Sequence, residues 1–336
     1  MRRIARQVAE LRSNADRVLV VTSAAIASGL AALGFDHRPS DTLTLQAVSA
    51  VGMSRLMHRW DEAFAAESLV SGQVLLTPND FFDRTQYLHA RSTLIRLLDL
   101  GVIPIINEND AIASDEIRFG DNDRIAALVA HLVNADVLVL LTDTAGLYTA
   151  NPKTNPGATL IDLVEEVTPE LEAVAGGVGS DRGSGGMSSK LRAAKIASWS
   201  GIRSVIAGSR GERALLDAVE GVKGCGTVVL GHDRRLSARK LWIAFAGDTV
   251  GTIDVDAGAE TALRERGVSL LPAGVRGIRG AFQSGDLVEI TGPSGMAFAR
   301  GMARLDSAIL QMAKGKQSNA TDGEVAVHRD DLVLLP

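Results

Sequence analysis

Five consecutive apolar residues, Val102-Ile-Pro-Ile-Ile106, give way at once to Asn107, Glu108, Asn109 and Asp110. That edge constrains the fold more than any other feature of the chain. An apolar run without alternation belongs to a strand covered on both faces, and such strands occur in parallel sheets flanked by helices. In open α/β sheets ligands bind just beyond the carboxyl ends of the strands. A second polar cluster, Asp121, Asn122 and Asp123, follows after one short excursion. Two clusters of amides and carboxylates at one sheet edge could hold a small polar molecule bearing an ammonium group, or a metal. One cluster alone reads more readily as a surface loop with Asx turns.

The neighbouring segments favour the first reading. Arg17 to Ser23, Val74 to Thr77, Asp136 to Asp143 and Ser204 to Ala207 are further apolar strand candidates. They alternate with helical patterns over 24–33, 43–69, 87–100, 125–133 and 191–199. Strands alternating with helices of about ten or more residues predict an α/β fold with a doubly wound, mostly parallel sheet sandwiched by helices. Met53 and Met57, on the apolar face of the second helix, read as core filler. Residues 1–16 place Ile4, Val8 and Leu11 at helical spacing, with Arg2, Arg3, Arg6 and Arg12 on other faces. Glu10, Asp16 and the lack of a serine-rich stretch argue against a transit peptide. This helix has the character of a β-α-β crossover, which needs a strand before it. The expectation is that the first strand of the sheet is absent from this sequence.

The pattern changes near Gly231. After the polar, basic connector 232–240 come short apolar runs separated by glycines: 241–246, 250–255, 268–271, 287–290 and 325–327. They predict a small β-barrel or sandwich over 241–336, behind a first domain of residues 1–231. Residues 237–336 hold 11 Lys plus Arg against 12 Asp plus Glu, and the whole chain carries a net charge of −5. Wholesale nucleic-acid binding is therefore not expected; an RNA contact would rest on the local cluster Arg234, Arg235, Arg239 and Lys240. One cysteine, Cys225, excludes an intramolecular disulfide framework and fits a reducing compartment. No apolar stretch reaches the ~18 residues of a membrane span. A cytoplasmic location is expected.

Chemistry gathers at the strand ends. The glycine-dense segment 176–190 runs into a helix with Lys190 in its first turn. Glycines let backbone N–H groups face an anion, and a helix N-terminus favours it electrostatically. The segment matches neither the Walker loop nor Gly-x-Gly-x-x-Gly. Phosphate binding is the better of its two readings, the other being a flexible linker. Thr142 and Asp143, at the end of the strand 137–141, could hydrogen-bond a nucleotide against which Tyr148 packs, or could simply form an Asx-capped turn.

Thr22-Ser-Ala-Ala-Ile-Ala27, Ile106-Asn-Glu-Asn-Asp110, Phe119-Gly-Asp-Asn-Asp123, Leu141-Thr-Asp-Thr-Ala-Gly-Leu-Tyr148 and Gly185-Gly-Met-Ser-Ser-Lys190, in this order, resemble glutamate 5-kinases of the amino acid kinase superfamily. The second domain is similar to the PUA module that many bacterial members carry, so the resemblance covers essentially the whole chain. It implies ATP-dependent phosphorylation of the γ-carboxylate of L-glutamate, the first step of proline synthesis, with magnesium accompanying ATP. Ser23, Asn107, Asp110 and Asn122 would contact glutamate. Thr142 and Asp143, with Ser184, Gly185, Gly186, Met187, Ser188, Ser189 and Lys190, would form the ATP site. Lys190 would stabilise charge on the transferring phosphoryl group and Asp123 would orient it; no residue is assigned to a metal. Feedback inhibition by proline and a homo-oligomer are further expectations of the resemblance. Two departures stand out: the family's opening strand, ending Lys-x-Gly-Ser/Thr-Ser, is not in this sequence, and Ala24 stands where the family has glycine. The rival readings are another carboxylate or carbamate kinase of the superfamily, and a catalytically impaired regulator that binds glutamate, proline or RNA.

Overall fold

The computed structural model describes all residues except 82, 113–121, 177–185, 234, 247–248, 317–323 and 336. The chain forms two compact units, Met1–Arg235 and Leu236–Pro336. The first unit runs α1 (Arg2–Ser13), β1 (Val20–Val21), α2 (Ala25–Leu33), α3 (Thr42–Ala65), β2 (Ser71–Leu76), α4 (Arg84–Asp99), β3 (Ile103–Glu108), α5 (Asn122–Val133), β4 (Val137–Thr142), β5 (Leu163–Val164), α6 (Pro169–Gly176), α7 (Met187–Trp199), β6 (Arg203–Gly208), α8 (Ala214–Glu220) and β7 (Gly226–Val229).

The strands pair in two sheets, ordered β1-β3-β2 and β4-β6-β7-β5, and every pairing is parallel except that of β6 with β7. Helix α5 packs on β1, β3 and β4 and so spans both sheets. Among the described residues β1 has a single strand partner, β3, in the register Val20↔Ile105 and Val21↔Ile106. The pairing continues one step further, where the Thr22 N–H donates to the Ile106 carbonyl at 2.8 Å.

All six residues of β3 are buried. Ile103 and Ile105 join Ala5 and Val8 of α1 and Met53, Leu56, Trp60 and Phe64 of α3 in one core cluster. Strand side chains alternate faces, so Asn107 shares the face of Ile103 and Ile105 and looks toward α3. Helix α3 starts cleanly because the Asp41 carboxylate accepts from the Thr44 N–H at 2.8 Å. It crosses α2 so tightly that a Cβ on Gly52 would lie 1.8 Å from the Ala25 carbonyl oxygen, and one on Gly29 1.9 Å from that of Val48. Only glycine permits this approach, which fixes α2 and the β1–α2 turn against α3.

Three boundaries differ from the sequence reading. Strand β3 runs through Asn107 and Glu108, which pair with Leu75 and Leu76 of β2; the ladder is made by the backbone and does not stop where side chains turn polar. The strand expected over 17–23 forms only at Val20–Val21, with one further ladder bond from the Thr22 N–H. Helix α7 opens at Met187, a turn before the expected Leu191.

The second unit comprises α9 (Ala238–Leu241), β8 (Gly251–Val255), α10 (Ala257–Arg266), β9 (Val275–Arg279), β10 (Leu287–Thr291), β11 (Ala297–Ala303), α11 (Ser307–Ala313) and β12 (Val327–Leu334). Its five-stranded sheet has the order β12-β11-β10-β8-β9. The core includes Ile253, Val255, Leu263, Val288, Ile290 and Phe298. The run 241–246, read with the short strand runs, is helical: α9 passes into a π turn, Trp242–Ala246. Ile243 and Ala244 bury against Leu287 and Val333. A short apolar run satisfies buried helix and buried strand alike, and the Ser237 cap, accepting from the Lys240 N–H, favours helix.

Candidate active site

Four elements of the first unit end at one place. The carboxyl end of β3 contributes Asn107 and Glu108, both fully buried, and Asp110 follows in the next turn. Helix α5 begins with Asn122 and Asp123. The Asn122 side-chain oxygen accepts from the Glu108 backbone N–H at 3.0 Å, pinning the start of α5 to the end of β3. The next residue faces α7: the Lys190 ammonium donates to both oxygens of Asp123, at 2.9 and 3.0 Å, and the Ser189 hydroxyl donates to one of them at 2.6 Å. Lys190 and Asp123 side chains are only 11% and 16% exposed, so solvent screens this pair weakly. A lysine so placed is a fixed positive charge in the opening turns of a helix, where the macrodipole adds its own.

On the other side of Asn122, two buried oxygens have no hydrogen-bond partner among the described residues: Asn107 Oδ1 and Asp110 Oδ1. Buried polar atoms are rarely left unpaired unless a ligand or water completes them. The second oxygen of Asp110 accepts from the Ser49 hydroxyl of α3 at 2.6 Å. Burial pushes the Asp110 carboxyl above the usual aspartate range, against the pull of the Ser49 hydrogen bond and the Arg38 charge. An ammonium group beside it would favour the ionised form and meet the open oxygen. Asn107 donates to the Glu108 carbonyl at 3.2 Å and lies 3.9 Å from the Met53 sulfur.

Ser23 follows β1 with its side chain exposed, one residue past Thr22, whose hydroxyl accepts from the Trp60 indole N–H at 3.0 Å. Ala24, next in line, adopts the left-handed conformation, φ +85°, at the N-cap of α2. Thr142 closes β4 and Asp143 is exposed just beyond it. The Thr142 carbonyl accepts from the Ser209 N–H at 2.7 Å, and the Arg3 guanidinium donates to the Ser209 carbonyl. Gly186 caps α7 in extended backbone, and a Cβ there would meet nothing within 4 Å. Met187, Ser188 and Ser189 complete the first turn. Asp121, Ser184 and Gly185 lie outside the described residues. Asn122, Asp123, Ser189 and Lys190 are thus linked by hydrogen bonds or chain adjacency to one another and, through Glu108, to Asn107 at the end of β3. Asp110 stands in the turn just after β3, held by Ser49, while Thr142 and Asp143 occupy the end of the neighbouring sheet. Sequence reading missed Ser49, Met53 and Trp60 as partners of the site, because a helical stripe of small and apolar residues carries no local sign of what it touches.

Residues 1–208 match the Amino acid kinase family and residues 251–325 the PUA domain. The glutamate 5-kinase of Pseudomonas putida (strain W619) is 45% identical over 336 residues, which is 98% of this chain and 90% of that relative. The chain belongs to this family of kinases. The glutamate 5-kinases of Citrifermentans bemidjiense and Moorella thermoacetica match at 45% and 44% identity, over 99% and 100% of this chain and 91% and 90% of their own lengths. Among solved structures, a T. acidophilum isopentenyl phosphate kinase product complex overlays 68% of this chain and 88% of its own at 19% identity and a TM-score of 0.44, too loose a likeness to argue from. Membership makes the chain a phosphotransferase.

Proposed function

We propose that this chain transfers the γ-phosphoryl group of ATP to the γ-carboxylate of L-glutamate. The observation that carries the reading is the pairing of consecutive residues with the two halves of the site: Asn122 holds β3, and Asp123 holds Lys190 of α7. One rigid helix start thereby sets the acceptor side against the donor side. Asp110, with its open oxygen, takes the α-ammonium of glutamate; Asn107, Asn122 and Ser23 bind its polar remainder. Thr142, Asp143 and the segment ending in Gly186, Met187, Ser188 and Ser189 take the nucleotide. Magnesium would accompany ATP and supply charge neutralisation on its phosphates; both Asp123 oxygens are engaged by Lys190 and Ser189.

A side-chain carboxylate is ionised at neutral pH, so the acceptor needs no general base. An oxygen of that carboxylate attacks the γ-phosphorus, the bond to the β-phosphate oxygen breaks, and ADP leaves with that electron pair. The difficulty is bringing two anions together, and phosphoryl transfer is mostly positioning and charge neutralisation. Lys190 supplies the compensating charge. Asp123, which keeps the lysine extended and immobile, is a positioning residue.

The test is release of ADP from ATP and magnesium, with and without L-glutamate, with hydroxylamine to trap the acyl phosphate. Glutamate-dependent ADP release with hydroxamate formation is expected. A folded protein whose ADP release responds to another carboxylate or carbamate, or to no acceptor, overturns the reading.

A further inference from the structure

Helix α3 sends three side chains to the acceptor cluster from a single stripe. Ser49 donates to Asp110 at 2.6 Å, Met53 touches the Asn107 amide at 3.9 Å, and Trp60 donates to Thr22 at 3.0 Å. At 100° per residue the three lie within a sector of about 40°. Their three targets sit at the ends of two strands and in the turn after β3, so one helix braces all three positions.

We propose that Ser49 is a positioning residue for the acceptor site, holding the Asp110 carboxylate so that its second oxygen meets the substrate ammonium. The inference rests on the glutamate-kinase reading. Asp110 lies beyond the end of β3, in a turn whose backbone does not by itself set the rotamer of its side chain. Ser49 is 2% exposed and Asp110 5% exposed, and their separation of 2.6 Å is that of a charge-assisted O–H···O bond. A helix-interior serine is less favourable than alanine and commonly turns its hydroxyl back to its own helix. Here the hydroxyl instead reaches a carboxylate 61 positions away in sequence. With one Asp110 oxygen held and the other without a partner among the described residues, the carboxylate presents a single, directed acceptor.

Ser49→Ala removes the hydroxyl without adding bulk and raises helix propensity, so the variant is expected to fold. The test measures glutamate KM, ATP KM and kcat, with calorimetric titration of L-glutamate in the absence of nucleotide. Expected is a rise in glutamate KM and Kd of about tenfold or more, the scale of a lost hydrogen bond to a charged group, with kcat and ATP KM within about threefold of wild type. Ser49→Thr, which restores the hydroxyl, is expected to recover most of the affinity. An active wild type beside a Ser49→Ala variant with unchanged glutamate KM overturns this inference and leaves the kinase reading intact. So does a parallel loss of kcat and both KM values, which marks a general structural defect. A wild type that neither binds nor phosphorylates glutamate overturns the kinase reading and this inference with it.

Discussion

In the proposed reaction Lys190 and Asp110 stand at the two ends of the chemistry, and each makes a sharp prediction. Lys190→Met keeps the length of the side chain and removes the charge. It is expected to lower kcat by about a hundredfold to a thousandfold while glutamate KM changes little, because the charge matters most where negative charge builds up in the transition state; steady-state kinetics with both substrates checks this. Asp110 behaves in the opposite sense. Its raised carboxyl pKa means that ionising it costs the unliganded fold stability, a cost that is absent at low pH and grows as pH rises through the ordinary aspartate value toward the raised one. Asp110→Asn should therefore raise the thermal midpoint of the unliganded protein at neutral pH while raising glutamate KM by at least about tenfold. A lower midpoint would show that the carboxylate is a structural hub and not a binding group. Ala24 is strained on the same strand end: at φ +85° an L-residue is disfavoured by roughly 1–2 kcal/mol, part of which glycine would give back through its greater freedom in the unfolded chain. Ala24→Gly is expected to raise the unfolding free energy by a fraction of about 1 kcal/mol, read as a higher urea midpoint at constant m-value.

At the scale of elements, the crossing of α2 and α3 decides where the acceptor residues stand. Gly29 and Gly52 let the two backbones touch, with no room for a methyl group on either side. Gly52→Ala must push the helices apart, at a cost of about 1–3 kcal/mol. Because Gly52 adjoins Met53 and lies one turn from Ser49, the displacement reaches Asn107 and Asp110. Urea unfolding is expected to show the lost stability, and kinetics a raised glutamate KM with ATP KM nearly unchanged. Equal effects on both KM values would show that α3 does not act selectively on the acceptor half. The motif order told where strands end and which polar residues gather there. It did not reveal α3 as the brace, since Ser49, Met53 and Trp60 look like any helical stripe until the packing partner is known.

Across the whole first unit, α5 is the shared element, packed on strands of both sheets. His131, in its last turn, is buried, its Nδ1 has no hydrogen-bond partner among the described residues, and burial together with the Arg235 charge lowers its pKa from 6.5 to about 4. The fold thus holds a neutral imidazole that the unfolded chain would protonate. The stability it contributes is complete above pH 6.5 and is lost as pH falls toward 4, by at most roughly 3 kcal/mol. Between pH 7.5 and 4.5 the thermal midpoint of the wild type should fall relative to that of His131→Leu, which has no imidazole to protonate. A constant difference over that range would rule out His131 as the titrating group. No described helix is long and apolar enough to cross a membrane.

What the sequence determined by itself was the class of fold and the strand ends at which polar residues gather. Unbroken apolar runs such as 102–106 require burial on both faces, and burial on both faces requires parallel strands under helices. Polar residues that follow such a run have nowhere to go but the sheet edge, which is why Asn107 and Asp110 stood out before their neighbours were known. Lys190 stood out at the helix start after a glycine-dense segment, and the roles expected of these residues came from the family resemblance. The tertiary structure decided the partnerships: that Asn122 and Asp123 point to different elements, that β3 continues through Asn107 and Glu108, that 241–246 coils into helix, and that Ser49 answers Asp110. Each of these depends on contacts between residues far apart in the chain. Local pattern records how polar a position is; only packing records what stands opposite it.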